Sequence, residues 1–176
     1  MRRTVLTLSL MLAVSGLSLT AQTPSTNATQ VVHATLNQLM RGVLYPAANV
    51  VFSAQNDNPG EVRFIPGVDP NMATDPLASS FGGWQAIENA ALALAESANL
   101  LQVPGRVCSN GAPVPLTDPA WATFVQEVRD AGMQAYKAAQ AKDQPRMIEL
   151  ADTVNKSCEH CHRKWRDRRT AANRCK

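Results

Sequence analysis

Four segments of this chain repeat apolar residues at intervals of three and four, the spacing that places side chains on one face of an α-helix. No long segment alternates apolar and polar residues in the manner of a strand. A helix with one apolar stripe buries that stripe against other helices, so the pattern predicts an all-α protein, an antiparallel four-helix bundle. The expected helices run over about residues 29–52, 81–101, 118–141 and 143–165.

Capping residues and prolines indicate where these helices begin or are interrupted. Asp118 is a good N-cap and Pro119 suits the first helical position, while Asp143 can cap the last helix. The last two helices are separated by a short turn, so they are expected to be antiparallel neighbours. Pro46 has no backbone N–H to donate, so a kink or a break is expected near Tyr45.

The other two connections, residues 53–80 and 103–117, are long for a compact domain. We therefore expect them to pack along the helices. Within the first, Asn58-Pro59-Gly60 and Pro66-Gly67 predict turns.

The N-terminus has the three parts of an export signal. Met1-Arg2-Arg3 is positively charged, residues 5–19 are apolar, and Ala21 is a small residue suited to signal peptidase. An uncleaved anchor is the alternative, but the apolar stretch is shorter than the roughly 20 residues of a spanning helix. The prediction is a periplasmic protein with these parts: signal peptide 1–21, flexible N-terminus 22–28, four-helix domain 29–172 and C-terminal tail 173–176.

The last helix carries Cys158-Glu159-His160-Cys161-His162, and the Cys-x-x-Cys-His within it is the attachment signature of c-type haem. Positions i, i+3 and i+4 share one helix face, so both thiols and the imidazole of His162 are expected to point the same way. The motif predicts one covalent haem c, with Cys158 and Cys161 bonded to its vinyl groups and His162 bound to iron. Such attachment occurs outside the bacterial cytoplasm, so the predicted export signal supports the haem interpretation of the motif.

Two other uses of a Cys-x-x-Cys pair remain open. With His160 and His162 it could belong to a zinc site in a non-haem metal-binding protein, although no second pair stands at zinc-like spacing. A thioredoxin-like redox motif would lie at the start of a helix in a βαβ unit, and this chain lacks the strands for one.

Cys108 and Cys175 are the cysteines outside the motif. In an exported protein they are predicted to form a disulfide that ties the second connection to the end of the last helix. By the loop-entropy model such a bond contributes about 3 to 4 kcal/mol. Free thiols, or a bridge between two chains through Cys175, are the alternatives.

Charge is nearly balanced in the mature chain but unevenly placed. Loss of Arg2 and Arg3 with the signal peptide leaves 15 of the 17 basic residues against 14 acidic ones, which gives no reason to expect nucleic acid as a partner. Seven basic residues lie between Arg163 and Lys176, where Asp167 is the one acidic residue. They form either a solvated helix end or a collar that pairs with haem propionates or binds an acidic redox partner.

From about Pro119 to Arg169 the chain resembles the class II c-type cytochromes, the cytochrome c′ group. The shared features are a haem motif near the C-terminus, an alanine-rich helix before it (Tyr136-Lys137-Ala138-Ala139), and a family pattern of two variable residues, an aromatic and an arginine after the haem histidine. The resemblance implies a four-helix bundle in which Trp165 packs near the porphyrin. It also implies that Arg166 lies beside the proximal histidine or a propionate, and that the protein forms a homodimer.

The first half departs from that family, because Pro46 interrupts the first helix and the connections are long. In the family, a residue of the first helix faces iron opposite the histidine, and Met40 is the candidate here. A methionine ligand predicts a one-electron carrier, whereas Leu36 or Leu39 in that place predicts five-coordinate iron that binds nitric oxide or carbon monoxide. No nucleophile or acid–base pair stands out, so an enzyme is not expected.

Overall fold

The computed structural model describes residues 30–167 and 170–175. The predicted signal peptide and flexible N-terminus lie outside these residues, as does Lys176 of the predicted tail. The described part of the chain is helical and contains no strand, apart from an isolated antiparallel bridge between Val107 and Pro113. The prediction of an all-α protein is therefore confirmed.

Four helices account for most of the structure, and we number them α1 to α4. The first is built of three consecutive pieces and the last continues into a π-helical turn. Their bounds are: α1, Leu36–Leu39, the π-helical Met40–Leu44 and Tyr45–Ser53; α2, Trp84–Leu100; α3, Pro119–Gln140; α4, Gln144–Cys161, followed by the π-helical turn His162–Arg166.

The helices pack against one another around one core. Helix α3 contacts both α2 and α4, and α1 contacts both α2 and α4. The largest fully buried side chains come from all four helices, and each contributes about 1.5–3 kcal/mol relative to an exposed position; they include Val51, Ile87, Leu94, Val125 and Met147. Among the residues that the structure covers, no helix is both long enough and apolar enough to cross a membrane.

Helices α2 and α3 approach each other closely at Gly132. A Cβ atom added there would lie 2.8 Å from the backbone nitrogen of Ala95 and 2.9 Å from the carbonyl oxygen of Ala91. These are backbone atoms, so the helices themselves would have to move apart. The missing side chain of Gly132 is therefore what permits this helix contact.

We expect Gly132→Ala to lower the free energy of unfolding by about 1–3 kcal/mol, because overpacking outweighs the better helix propensity of alanine. The matched control is Gly42→Ala in α1, where nothing lies within 4 Å of the added Cβ. That variant should be neutral or up to about 1 kcal/mol more stable. Urea unfolding followed by circular dichroism measures both, and equal stability of the two variants would refute the close approach.

The helix starts follow the predicted caps in α3 and α4. The Asp118 carboxylate accepts a hydrogen bond from the backbone N–H of Ala120 at 2.9 Å, and that of Asp143 accepts one from Arg146 at 3.0 Å. Helix α1 begins later than predicted, because Thr35 and Gln38 form a capping box immediately before Leu36. The capping side chain of Thr35 supplies the hydrogen bond that the first turn needs, so the helix starts here.

Pro46 does not break α1, and it lies in the first turn of the α-helical piece Tyr45–Ser53. The helix passes through the π-helical turn Met40–Leu44 just before the proline and then continues. A π-helical turn inserts one extra residue into the helix, so the buried face shifts by one position beyond it. Val43 and Val50, which belong to the apolar 3/4 repeat of the sequence in this helix, are half-buried, whereas Leu44 and Val51 are buried.

The long first connection packs on the helices as expected. It contains two short 3-10 turns, and the second of them buries Leu77 in the core. Both predicted turns are present: the Asn58 carboxamide oxygen accepts from Gly60, and Ile65 accepts from Val68 around Gly67.

The second connection is fastened to the start of α1. The Arg106 side chain, 6% exposed, donates to the carbonyl oxygens of Ala34 and Leu100. The carbonyl oxygen of Val107 accepts from the backbone N–H of Leu36 at 2.8 Å. Since carbonyl groups alone solvate this buried guanidinium among the described contacts, the connection has a fixed position against α1.

Candidate haem site

The residues of the motif lie where α4 passes into its π-helical turn. Cys158 and Cys161 occupy the last turn of the α-helix, and His162 begins the π-helical turn. Both cysteines are half-buried and carry free thiols, and Cys161 packs against the core. The turn is closed by the backbone N–H of Asp167, which donates to the carbonyl oxygen of His162 at 2.8 Å. Helical geometry thus gives the three groups a common face.

Both thiols are held in the protonated form at neutral pH. Burial raises the pKa of Cys161 to about 12, with further contributions from Cys158 and Glu127. Burial also raises the pKa of Cys158, against opposing effects of a Ser157 hydrogen bond and the charge of Arg166. A thioredoxin-like motif and a zinc site both need thiolates, which this environment disfavours. A neutral thiol, by contrast, is the group whose S–H bond adds across a vinyl group.

A metal site built from protein ligands alone also lacks the necessary neighbours. Within residues 30–167 and 170–175, no group of three or more histidine, cysteine, aspartate or glutamate side chains gathers in a way that could hold a metal ion. His160, which the zinc alternative would use, lies 2.6 Å from the Glu127 carboxylate and is exposed.

His162 is held as a neutral imidazole. Burial lowers its pKa, as does the charge of Arg166, while Asp167 opposes the shift. A neutral ring is the form that binds metals. Arg166 Nη1 lies 2.7 Å from His162 Nδ1, and because a guanidinium can donate but not accept, Nδ1 is the acceptor and Nε2 carries the ring proton.

This tautomer sets one condition on haem binding. A nitrogen that binds iron must have its lone pair free, so binding through Nε2 moves the ring proton to Nδ1. Nδ1 then becomes a donor and can no longer accept from Arg166. The residues present fit a haem provided that Arg166 turns away from the ring.

A second observation also suits a haem. The side-chain Nε of Arg174 is buried and has no hydrogen-bond partner among the described residues. An unpartnered guanidinium N–H is a strong donor for a carboxylate such as a propionate. Arg174 is one of the seven basic residues near the C-terminus for which the sequence predicted either a solvated helix end or a collar that pairs with haem propionates.

An aromatic cluster packs beside the motif. Trp165, 4% exposed, meets Trp121 edge to face, with ring centroids 5.0 Å apart. Its ring also lies 5.7 Å from that of Phe124, which contacts His160 at 5.6 Å. Trp121 and Phe124 belong to α3, so the cluster joins α3 to the carboxyl end of α4.

The basic residues around the motif are largely engaged in ion pairs. Each of three cations has an acidic partner in the structure: Arg163 with Glu159, Lys164 with Asp118, and Arg166 with Asp167. Lys164 and then the Ala120 N–H hold the pKa of Asp118 below its usual range. Exposed pairs of this kind contribute little to stability. They also reduce the positive charge available to an acidic partner, while Arg168, Arg169 and Lys176 lie outside the described residues.

The remaining predicted site residues lie in different places. Cys108 and Cys175 form a disulfide, with their Cα atoms 6.5 Å apart. Met40 begins the π-helical turn of α1, where it is half-buried against the same core as Cys161. The structure therefore places Arg166 in contact with His162. For Met40 it shows packing against the core.

An open cavity of about 430 Å³ lies between α1 and α2. Val43, Ala47 and Ala90 are among the small and apolar residues that line it. Phe81, which lies between the first connection and α2, also lines the cavity. None of its lining residues belongs to the haem motif. The cavity and the motif are thus separate features.

No protein-family model, curated protein or solved structure matches this chain. The resemblance to class II cytochromes therefore stays a prediction, carried by the residues of α3, the motif and the turn that follows it.

Proposed function

We propose that this protein is an exported mono-haem c-type cytochrome of class II that carries single electrons. The observation that carries the proposal is the end of α4, where two protonated, unbonded thiols and a neutral imidazole share a face beside a buried tryptophan. The proposal includes an antiparallel arrangement of the four helices, cleavage after Ala21 and a periplasmic location. The proposed partner is another redox protein, which can be an acidic one. The proposed assembly is a homodimer.

Each residue of the site has a separate task. Cys158 and Cys161 hold the haem by thioether bonds, and two bonds fix its orientation where one would leave it free to rotate. His162 presents Nε2 to the iron once its proton lies on Nδ1. Trp165 keeps water from this side through its contacts with Trp121 and Phe124. When bound, haem iron supplies the one-electron couple.

Arg166 and Arg174 are the charged groups nearest to this arrangement. Arg166, released from Nδ1 of His162, remains bound to the Asp167 carboxylate at 2.6 Å. Arg174 presents an Nε without a partner in the described structure. These guanidinium groups suit haem propionates, which would otherwise place negative charge against a partly apolar surface.

Expression of the full chain in a host with the cytochrome c maturation system tests the proposal. A pyridine haemochrome spectrum should show one haem per chain, and the intact mass should match residues 22–176 with one covalently added haem. A correctly exported and cleaved chain without covalent haem would contradict the proposal.

The ferric spectrum of the same protein tests Met40 as the ligand opposite His162. We expect low-spin iron with a sulfur-to-iron charge-transfer band, and we expect Met40→Leu to abolish that band and lower the reduction potential, because a thioether ligand raises it. High-spin iron that Met40→Leu leaves unchanged would remove Met40 from the site. That result would favour a five-coordinate haem that binds nitric oxide or carbon monoxide.

A further inference from the structure

The second connection holds the end of the chain through four separate contacts. We call residues 170–175 the C-terminal turn. The disulfide joins its Cys175 to Cys108, across 67 positions of sequence. In addition, the Asn110 carboxamide nitrogen lies within 3.1 Å of three carbonyl oxygens of the turn, those of Ala171, Ala172 and Arg174. One short loop thus fixes the whole C-terminal turn.

The C-terminal turn also contacts the end of α4, the helix that carries the haem motif. The backbone N–H of Cys175 donates to the carbonyl oxygen of Trp165 at 3.0 Å, which satisfies an acceptor left over at the end of the π-helical turn. The charge of Arg174 helps to lower the pKa of Asp167, after the larger effect of Arg166. Two residues of the turn therefore act on the segment that follows His162.

A continuous chain of contacts leads from the disulfide to the histidine. Cys175 binds the backbone of Trp165, the residue next to Arg166, and Asp167 holds Arg166 through two contacts, of 2.6 and 3.2 Å. Arg166 reaches Nδ1 of His162 at 2.7 Å. Anything that releases the C-terminal turn would therefore loosen the side chains that surround the imidazole.

We propose that the Cys108–Cys175 disulfide is a redox-sensitive lock, whose opening by a dithiol reductant frees the C-terminal turn and alters the setting of His162. In the reaction the disulfide takes up two electrons and two protons to give two thiols, and the dithiol is oxidised to its own disulfide. Attack by a thiolate on one sulfur and release of the other are the ordinary steps of such exchange. This lock does not depend on the proposed electron-carrier function.

The two bonded cysteines differ in their exposure to solvent. Cys108 is 3% exposed, whereas Cys175 is half-buried, so an external thiolate reaches the bond from the side of Cys175. The attacking thiolate in this proposal comes from a reductant outside the chain.

Hydrogen exchange measured by mass spectrometry tests the lock in the full processed chain. Dithiothreitol should accelerate amide exchange about tenfold or more in the peptides that contain Asp167 and Cys175, because the protecting contacts are lost. Peptides of α2 serve as the internal control and should not change. Alkylation and mass measurement establish that the bond has opened, and unchanged exchange in an opened protein would overturn the proposal.

Two variants separate the bond from the hydrogen bonds beside it. Cys108→Ser/Cys175→Ser should exchange rapidly without reductant and should not respond to it. Asn110→Ala keeps the disulfide and should give a smaller acceleration that still increases on reduction. If the serine variant fails to fold, the reduced wild-type chain supplies the same comparison.

The coupling to His162 has its own readout. In the haem-loaded protein Arg166 no longer contacts Nδ1, so the coupling runs through the backbone, where Trp165 accepts from Cys175 and His162 accepts from Asp167. Opening the bond should therefore shift the midpoint potential, and Asn110→Ala should shift it less in the same direction. Faster exchange with an unchanged potential would overturn the coupling. A chain that carries no haem would contradict the proposed function, but its exchange rates would still test the lock.

Discussion

Replacement of both motif cysteines, as Cys158→Ala/Cys161→Ala, is expected to abolish covalent haem attachment completely. No other free thiol is present in the described structure, because Cys108 and Cys175 are bonded to each other. The intact mass should fall to that of the bare mature chain, and the haemochrome signal of the denatured, precipitated protein should vanish. Each single alanine variant retains one thiol and should carry haem in lower yield through one thioether bond.

The control for this experiment is a variant that lacks the two cysteines outside the motif. Cys108→Ser/Cys175→Ser removes the same number of sulfur atoms and keeps the motif, so its haem content should match that of the wild type. Covalent haem in the double alanine variant, or its loss in a serine variant shown by circular dichroism to be folded, would show that the motif is not the attachment site.

Three of the four helices could be predicted closely from sequence because their apolar stripes are regular. Helix α2 lies within one to three residues of its predicted ends, and α3 and α4 start after the predicted aspartate caps. The prediction of α1 was less accurate, because the π-helical turn before Pro46 shifts the buried face of the helix by one position. Such an inserted residue leaves no mark in the apolar spacing on either side of it.

The candidate site divides in a similar way. Cys158, Cys161 and His162 could be identified because their spacing is local and their chemistry is specific. Glu127 and Asn110 could not, because each reaches the motif or the residues after it from a distant part of the chain. The place opposite His162 also depends on long-range packing, so Met40 stays a prediction.

Trp165→Ala is expected to give the largest loss of stability, about 3–5 kcal/mol in the free energy of unfolding. Its ring is 4% exposed and contacts Trp121 and Phe124 of α3. Removal would leave a cavity between the two helices. Without the Trp165 ring, water and small molecules would reach the neighbourhood of His162 more easily. The haem-loaded variant should therefore be oxidised by air more readily than the wild type, or bind external ligands such as cyanide more readily.

The comparison that isolates packing is Ile148→Ala, on the same helix but 47% exposed. That change should cost no more than about 0.5 kcal/mol, as is usual at the surface. Trp165→Phe keeps an aromatic ring and should recover part of the loss, because edge-to-face contacts contribute about 0.5–1.5 kcal/mol beyond burial. Urea unfolding of the three variants gives these values. Equal losses for Trp165→Ala and Ile148→Ala would mean that the aromatic cluster does not hold α4 to α3, and the protection it gives to His162 would then need another source.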